Sequence, residues 1–182
     1  AKPIDYSKPV FIQPKLDGVR CLIQHDAGHI VAYSRTGKVW KNINHILYEL
    51  IPFFKKHPSV VLDGELYNHD FKDDFEQIIS MVRKTKPTIE ARIKSHKNVQ
   101  FHCYDIVNKK MNFETRDHWI ASNLSTSYCI KHVRTVLVTN EDQARQYHKE
   151  NLVSGYEGSI VRLNTPYQCK RSHSLRKFKD FS

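Results

Sequence analysis

A lysine stands where an extended apolar run of this chain gives way to an Asp-Gly turn. In the segment over residues 13–20, Gln-Pro-Lys-Leu-Asp-Gly-Val-Arg, that lysine is Lys15. Pro14 disfavours a helix and cannot donate to a sheet ladder, and Gly18 permits a tight reversal, so Lys15 is predicted at a strand-to-turn junction. An amine at that junction, with Arg20 close by in sequence, is suited to a nucleophile with charged neighbours. A solvated lysine in an ordinary hairpin is the competing interpretation.

Carboxylates interrupt two segments that are otherwise apolar. Asp63 and Glu65 lie within a predicted strand over residues 59–67, and they point to the same face because successive strand residues alternate. Burying a carboxylate is costly unless it has a partner, so this pair indicates either a structural ion pair or a binding site. Glu157 precedes Gly158 and an apolar strand, which is either a further acidic site or a plain turn.

Two more segments carry notable side chains. Tyr104 lies in a predicted strand over residues 99–107, where an aromatic ring by itself indicates the core. Lys177 and Lys179 share one face of a predicted strand over residues 175–181. Two ammonium groups on one face could converge on a single phosphate.

In this order the segments resemble the motifs of the covalent nucleotidyltransferases, which comprise ATP-dependent DNA ligases, RNA ligases and mRNA-capping guanylyltransferases. Lys-x-Asp-Gly-x-Arg is similar to the nucleotidyl-acceptor motif of that superfamily, and Asp-Gly-Glu, Tyr-Asp, Glu-Gly and Lys-x-Lys follow it at residues 63–65, 104–105, 157–158 and 177–179. The resemblance is to the adenylation domain of an ATP-dependent DNA ligase. An RNA ligase or capping guanylyltransferase is the alternative, and a basic nucleic-acid-binding module without chemistry is the alternative of another class.

The resemblance implies a role for each motif residue toward ATP. Lys15 would attack the α-phosphate and form a lysyl-AMP intermediate, Glu65 would hold the ribose, and Tyr104 would stack on the purine. Glu157 would work with Mg²⁺ or Mn²⁺ at the α-phosphate, and Gln13 would contact adenine. The nucleotide-binding set implied in this way is Gln13, Lys15, Arg20, Glu65, Tyr104, Glu157, Lys177 and Lys179.

The resemblance also implies a DNA substrate. Ser-Arg-Thr-Gly at residues 34–37 is similar to the ligase segment whose arginine meets the 5′-phosphate of a nick, which implies Arg35. Residues 167–172 resemble the segment that precedes Lys-x-Lys in DNA ligases, which implies Arg171. AMP would pass to the 5′-phosphate of nicked double-stranded DNA, and the nick would be sealed in replication, repair or recombination.

Composition is compatible with a single nucleic-acid-binding domain over residues 1–182. The chain carries 29 Lys and Arg against 19 Asp and Glu, and the formal net charge of +10 is typical of nucleic-acid binders, although solubility alone also explains it. The excess is concentrated at residues 83–97 and 170–179. Four scattered cysteines argue against structural zinc and against a disulfide framework.

The expected setting follows from what the sequence lacks. No apolar run is long enough to cross a bilayer and no secretory signal opens the chain, so we expect an intracellular protein. We also expect a monomer. Its compartment would be the cytoplasm of a bacterium or virus-infected cell, or the nucleus of a eukaryote. Ligases normally continue into an OB-fold domain in the same chain, and this sequence stops three residues after Lys179, so that domain is expected to be absent from it.

Helical and strand-like segments are mixed without a strict βαβ alternation, which predicts an α+β fold of mainly antiparallel sheets flanked by helices. The resemblance implies an ATP-grasp-like nucleotidyltransferase domain. Helices are predicted over residues 44–56, 73–84, 87–95, 115–129 and 141–152, with Thr115 and Asn140 as N-caps and Gly155 as a stop. Further strands are predicted over residues 10–12, 19–24, 30–34, 134–139 and 157–163. The glycine-rich phosphate loops of other nucleotide-binding folds are absent from the sequence.

Overall fold

In the computed structural model, residues 3–168 are described in full, together with the backbone of residues 175–178. The strands of this part of the chain are β1 Val10–Lys15, β2 Val19–Asp26, β3 His29–Tyr33, β4 Val61–Tyr67, β5 Gln100–Ile106, β6 Ile130–His132, β7 Val136–Val138, β8 Gly158–Leu163 and β9 Leu175–Phe178. The helices are α1 Asn44–Glu49, α2 Ile51–Lys56, α3 Phe75–Val82, α4 Ile89–Asn98, α5 Phe113–Asn123 and α6 Glu141–Val153, and a 3₁₀ turn spans His69–Phe71.

The chain divides into two compact units. The first consists of Ala1–Leu16, Asn108–His118 and Val133–Ser182, and the second of Asp17–Val107 and Trp119–His132. Each unit holds one sheet, with strand order β7-β1-β8-β9 in the first and β3-β2-β4-β5-β6 in the second. Among the described strands only the β5–β6 pair is parallel. The predicted α+β class with mainly antiparallel sheets is therefore confirmed.

The core of the first unit lies between α6 and the sheet. A buried apolar cluster joins the two, and its members are Val10, Ile12, Val138, Ala144 and Val161. Asn140 caps α6, because its side chain accepts a hydrogen bond from the Gln143 backbone N–H at 2.9 Å. Gly155 follows the helix with a φ of +92°, a conformation that glycine adopts at no steric cost. Both predicted boundaries of this helix are confirmed.

The second unit is organised around β4, which pairs with β2 on one side and β5 on the other. Leu62 and Leu66 of β4 are fully buried, as are Ile23 of β2 and Phe101 of β5. The β2–β3 hairpin closes with only Ala27 and Gly28 between its strands, both at positive φ. This turn is tighter than the five-residue connection expected from the sequence, because two left-handed residues match the twist of the strands.

Two predicted helices are wrong in detail. The helix predicted over residues 44–56 is two helices, because Pro52 in the first turn of α2 lacks an N–H and its ring crowds the carbonyl of Tyr48. The helix predicted over residues 115–129 is α5, which begins earlier and ends earlier. Thr115 lies inside α5 and does not cap it; the backbone N–H of Glu114 donates instead to the Asn164 side chain.

The remaining differences lie at strands. β6 was not predicted as a strand, because its three residues carry little periodicity and pair with β5 only through tertiary structure. The strand predicted over residues 175–181 is seen as β9, and residues 179–181 lie outside the described part of the chain. Among the described residues, no helix combines the length and apolarity that a membrane span requires.

Candidate active site

Antiparallel pairing of β1 with β8 brings Lys15 to Glu157. Lys15 is the last residue of β1 and pairs with Gly158, the first residue of β8, so Glu157 lies just beyond the end of the same ladder. Lys15 Nζ donates to Glu157 Oε1 at 2.6 Å. The lysine side chain is 23% exposed and that of the glutamate 49%, so the pair is open to a ligand from solvent. A partly exposed amine beside a carboxylate at the end of a sheet is an arrangement suited to a nucleophile and its proton acceptor.

Gln13 lies two residues before Lys15 on the same face of β1, in the interior of the first unit. The residue is only 2% exposed. Its Nε2 donates to Thr135 Oγ1 at 3.0 Å, and its Oε1 accepts from Arg162 Nε at 3.1 Å. The amide therefore has an internal hydrogen-bonding role, and its contact with adenine stays a prediction. Neither partner was expected to bond Gln13, since each lies more than a hundred residues away in sequence.

In the second unit Arg20 forms a two-pronged ion pair with Asp63. Arg20 Nε donates to Asp63 Oδ1 at 3.1 Å, and Nη2 donates to Oδ2 at 2.8 Å. The aspartate side chain is 2% exposed, so the pairing supplies the partner that a buried carboxylate requires. Trp40 Nε1 also donates to the Arg20 carbonyl oxygen. For Asp63, the interpretation as a structural ion pair is the one observed.

Glu65 has a different environment from Asp63, although the two are separated by one residue. Its carboxylate accepts from the Gly18 N–H at 3.2 Å and from the Tyr104 hydroxyl at 3.3 Å. Burial raises the pKa of Glu65 to about 7, while the hydrogen bonds from Gly18 and Tyr104 act in the opposite direction. The structure thus brings together Arg20, Glu65 and Tyr104 within the second unit, and it ties Glu65 to the backbone of the turn after Lys15.

The structure describes only part of the predicted nucleic-acid and phosphate residues. Arg35 is exposed in the turn over residues 34–38, where Gly37 has a φ of +88° and Ser34 Oγ accepts from the Lys38 N–H. The backbone of Lys177 pairs with Ile160 in the β8–β9 ladder. Arg171 and Lys179 lie outside the described residues.

The donors available for a divalent cation are few. No group of three or more His, Cys, Asp or Glu side chains converges among residues 3–168. Glu157 is the carboxylate next to Lys15. A single carboxylate fits Mg²⁺, because that ion commonly takes one or two protein carboxylates and completes its shell with water and substrate phosphates.

Comparison with known proteins adds a family to this geometry. The model of the family described as "ATP dependent DNA ligase domain" matches residues 4–179. A DNA ligase of African swine fever virus is 29% identical over 163 residues, covering 86% of this chain and 37% of the viral protein. A DNA ligase of Halobacterium salinarum is 23% identical over 167 residues, covering 83% of this chain and 28% of its own length. The chain thus spans less than two fifths of the length of either relative.

Solved structures show the same fold. The ATP-dependent DNA ligase of bacteriophage T7, in complex with ATP, superposes with a TM-score of 0.74 at 16% identity, over 95% of this chain and 62% of that one. Chlorella virus DNA ligase-adenylate gives a TM-score of 0.72 at 20% identity, over 98% and 65% of the two chains. At these identities the likeness concerns the fold alone.

Proposed function

Because the chain belongs to the family of ATP-dependent DNA ligase domains, as the match over residues 4–179 shows, we propose that it transfers adenylate from ATP through Lys15. The observation that carries the proposal is the 2.6 Å contact between Lys15 Nζ and Glu157 Oε1. It joins the first and fourth motifs of the sequence, which are 142 residues apart. A lone solvated lysine would not require that contact.

In the proposed first step the lysine amine attacks the α-phosphorus of ATP. The bond from Nζ to phosphorus forms, the bond from that phosphorus to the oxygen bridging to the β-phosphate breaks, and pyrophosphate leaves. An ammonium has no lone pair, so Nζ must lose a proton before it attacks and another as the phosphoramidate forms. Glu157, within hydrogen-bond reach of Nζ, is the proposed acceptor.

The remaining nucleotide contacts are proposals of the same kind. Glu65 would accept hydrogen bonds from ribose hydroxyls and Tyr104 would stack on the purine, a pairing supported by their mutual hydrogen bond. Gln13 would contact adenine, and Arg20, Lys177 and Lys179 would offset phosphate charge. Glu157 would also hold Mg²⁺ or Mn²⁺, which when bound would neutralise charge on the phosphates.

In the later steps AMP would pass from Lys15 to the 5′-phosphate of nicked double-stranded DNA, and the adjacent 3′-hydroxyl would displace AMP and seal the strand. Protonation of the phosphoramidate nitrogen makes Lys15 a good leaving group. Arg35 and Arg171 are the proposed DNA contacts. We further propose a monomer that acts inside the cell, where ATP and DNA are available, in replication, repair or recombination together with an OB-fold domain.

Incubation with α-labelled ATP or GTP tests the proposal. Acid-labile label from ATP should remain on the protein, Lys15→Ala should abolish it, and the exposed-lysine control Lys56→Ala should retain it. Label from GTP would instead indicate a capping guanylyltransferase. The assay is repeated with an OB-fold ligase domain supplied, and absence of label from either nucleotide in that mixture would favour the basic binding module. A Lys15→Ala protein that accepts label would overturn the nucleophile assignment.

A further inference from the structure

A second basic region lies on α4, outside the proposed transfer chemistry. The segment over residues 83–97 holds six Lys and Arg and only one acid, Glu90. Arg92 and His96 are one helical turn apart, so they share a face of α4, and both are exposed. The adenylate chemistry proposed above uses none of these residues.

Beside that face is a small cavity of about 110 Å³, entirely within the second unit. Its lining consists of Asn42, Asn44, His45, Arg92 and His96. Every lining side chain carries nitrogen, and none is a carboxylate. The volume is several times the roughly 10–15 Å³ that a single water needs, so the cavity has room for the oxygens of a phosphate group.

The inner wall of the cavity is held by buried hydrogen bonds. Asn42 is 3% exposed, and its Nδ2 donates to the carbonyl oxygens of Met81 and Ala91 at 2.7 and 3.2 Å. His45 is also buried, and its Nε2 donates to the Val99 carbonyl oxygen at 2.8 Å. These bonds fix the wall before any ligand arrives, which lowers the entropic cost of binding.

The positive charge at the cavity comes from Arg92. Burial lowers the pKa of His45, so that ring is neutral at pH 7, and Glu49 is an acid close enough to act on it. Arg92 belongs to none of the salt bridges recorded among the described residues. The buried amide and imidazole N–H groups are already bonded to backbone carbonyls, so the donors left for a ligand belong to the exposed side chains, and a guanidinium matches the geometry of a phosphate oxyanion.

We propose that this cavity seats a backbone phosphate of duplex DNA away from the nick, with Arg92 as its charged contact and His96 and Asn44 as further hydrogen-bond donors. The inference rests on the proposed function, since it assumes a duplex DNA substrate. An acidic protein is the other class of partner for a basic helix, and Ile89 and Ile93 are exposed on α4. Neither isoleucine lines the cavity, and the guanidinium of Arg92 does, which favours phosphate over an apolar anchor.

The test compares Arg92→Gln and His96→Gln with the exposed control Lys56→Gln. Affinity is measured by fluorescence anisotropy for intact duplex, for a nick with a 5′-phosphate and for a nick with a 5′-hydroxyl, between 0.05 and about 0.5 M salt. One phosphate contact contributes a log–log slope of about −0.9, which is roughly an eightfold gain in affinity at 0.1 M relative to 1 M salt. At 0.1 M salt, Arg92→Gln should lower the affinity for all three DNAs about eightfold and reduce the log–log slope by about 0.9. His96→Gln should lower the affinity less.

The outcomes separate this inference from the proposed function. Duplex binding with an unchanged slope in Arg92→Gln would overturn the phosphate seat and leave the proposed function standing. A parent protein that binds no duplex and accepts no label from ATP would overturn both. Ile93→Ser is the second variant: if it loses as much duplex affinity as Arg92→Gln, the surface is an apolar docking face and the phosphate seat is wrong.

Discussion

At the scale of single residues, the two acids of the Asp-Gly-Glu motif have opposite circumstances. Asp63 is bonded to a guanidinium, whereas the hydrogen bonds of Glu65 within the described part of the chain come from a backbone N–H and a tyrosine hydroxyl. Burial therefore dominates for Glu65 and raises its pKa to about 7. A carboxylate held in this way is costly to the fold when ionised, which is typical of groups retained for binding.

Replacing Glu65 should stabilise the fold at high pH. Between pH 4.5 and about 7 the folded protein keeps a proton on Glu65 that the unfolded chain has lost, so the free energy of unfolding falls as pH rises through that window. Glu65→Gln removes the ionisation. Urea unfolding should show the variant more stable than the parent by on the order of 2 kcal/mol at pH 8, with little difference at pH 4.5.

The matched control for that measurement is Glu150→Gln on the exposed surface of α6, which should show no such pH-dependent gain. An identical pH dependence in the parent and Glu65→Gln would contradict the raised pKa of Glu65. The same variant should bind ATP more weakly if the carboxylate holds the ribose. Gain of stability with loss of ligand affinity would be the signature of a binding residue.

Arg35 provides a second prediction at this scale, because it should recognise the break in the DNA and not the duplex as a whole. Arg35→Ala should weaken discrimination between a nick with a 5′-phosphate and one with a 5′-hydroxyl. Lys38→Ala, in the same exposed turn, should lower the affinity for both nicks by the same factor. Competition binding with the two nicks measures this. Equal losses in both variants would reduce Arg35 to a general backbone contact.

At the scale of elements, Gly64 is required by the packing of β4 on β5. A Cβ on Gly64 would lie 2.3 Å from the His102 carbonyl oxygen and 2.8 Å from two ring carbons of Phe101. The β4–β5 register also shifts between Asp63 and Gly64. The middle residue of the motif is therefore glycine for a steric reason, independent of the acids that flank it.

Gly64→Ala should consequently disrupt the sheet of the second unit. We expect a loss of several kcal/mol of unfolding free energy, because the clash is with backbone that cannot move without breaking the ladder. Gly28→Ala is the control. Nothing lies within 4 Å of a Cβ added at Gly28, but its φ is +85°, so a loss of about 1–2 kcal/mol of unfolding free energy is expected. Denaturant unfolding compares the two, and similar losses would show that the close approach at Gly64 is relieved cheaply.

At the scale of the whole molecule, the net charge of +10 should make DNA binding strongly dependent on salt. Arg35, Arg171 and Arg92 are three proposed phosphate contacts, which predict a log–log slope of about −2.7 or steeper for nicked duplex. A titration with a neutral osmolyte at matched osmolality should leave the affinity unchanged. A slope close to zero would contradict the role proposed for the basic surface.

The sequence by itself determined the features that depend on the order of residues close together in the chain. Alternation and turn residues were enough to predict the strand that ends at Lys15, the capped helix α6 and the α+β class, because propensity, capping and pleat act over a few residues. The order of the motifs was likewise sufficient to identify the family, since motif order is a property of the sequence alone.

Only the tertiary structure decided which side chains meet. Lys15 and Glu157 are 142 residues apart and Arg20 and Asp63 are 43 apart, so no local pattern could pair them; strand register did. The same reason explains the errors, because the N–H of Glu114 at the start of α5 is satisfied by the distant side chain of Asn164 and β6 exists only through its pairing with β5. Burial, which separates the pKa of Glu65 from that of an ordinary carboxyl, is also a property of the packed fold.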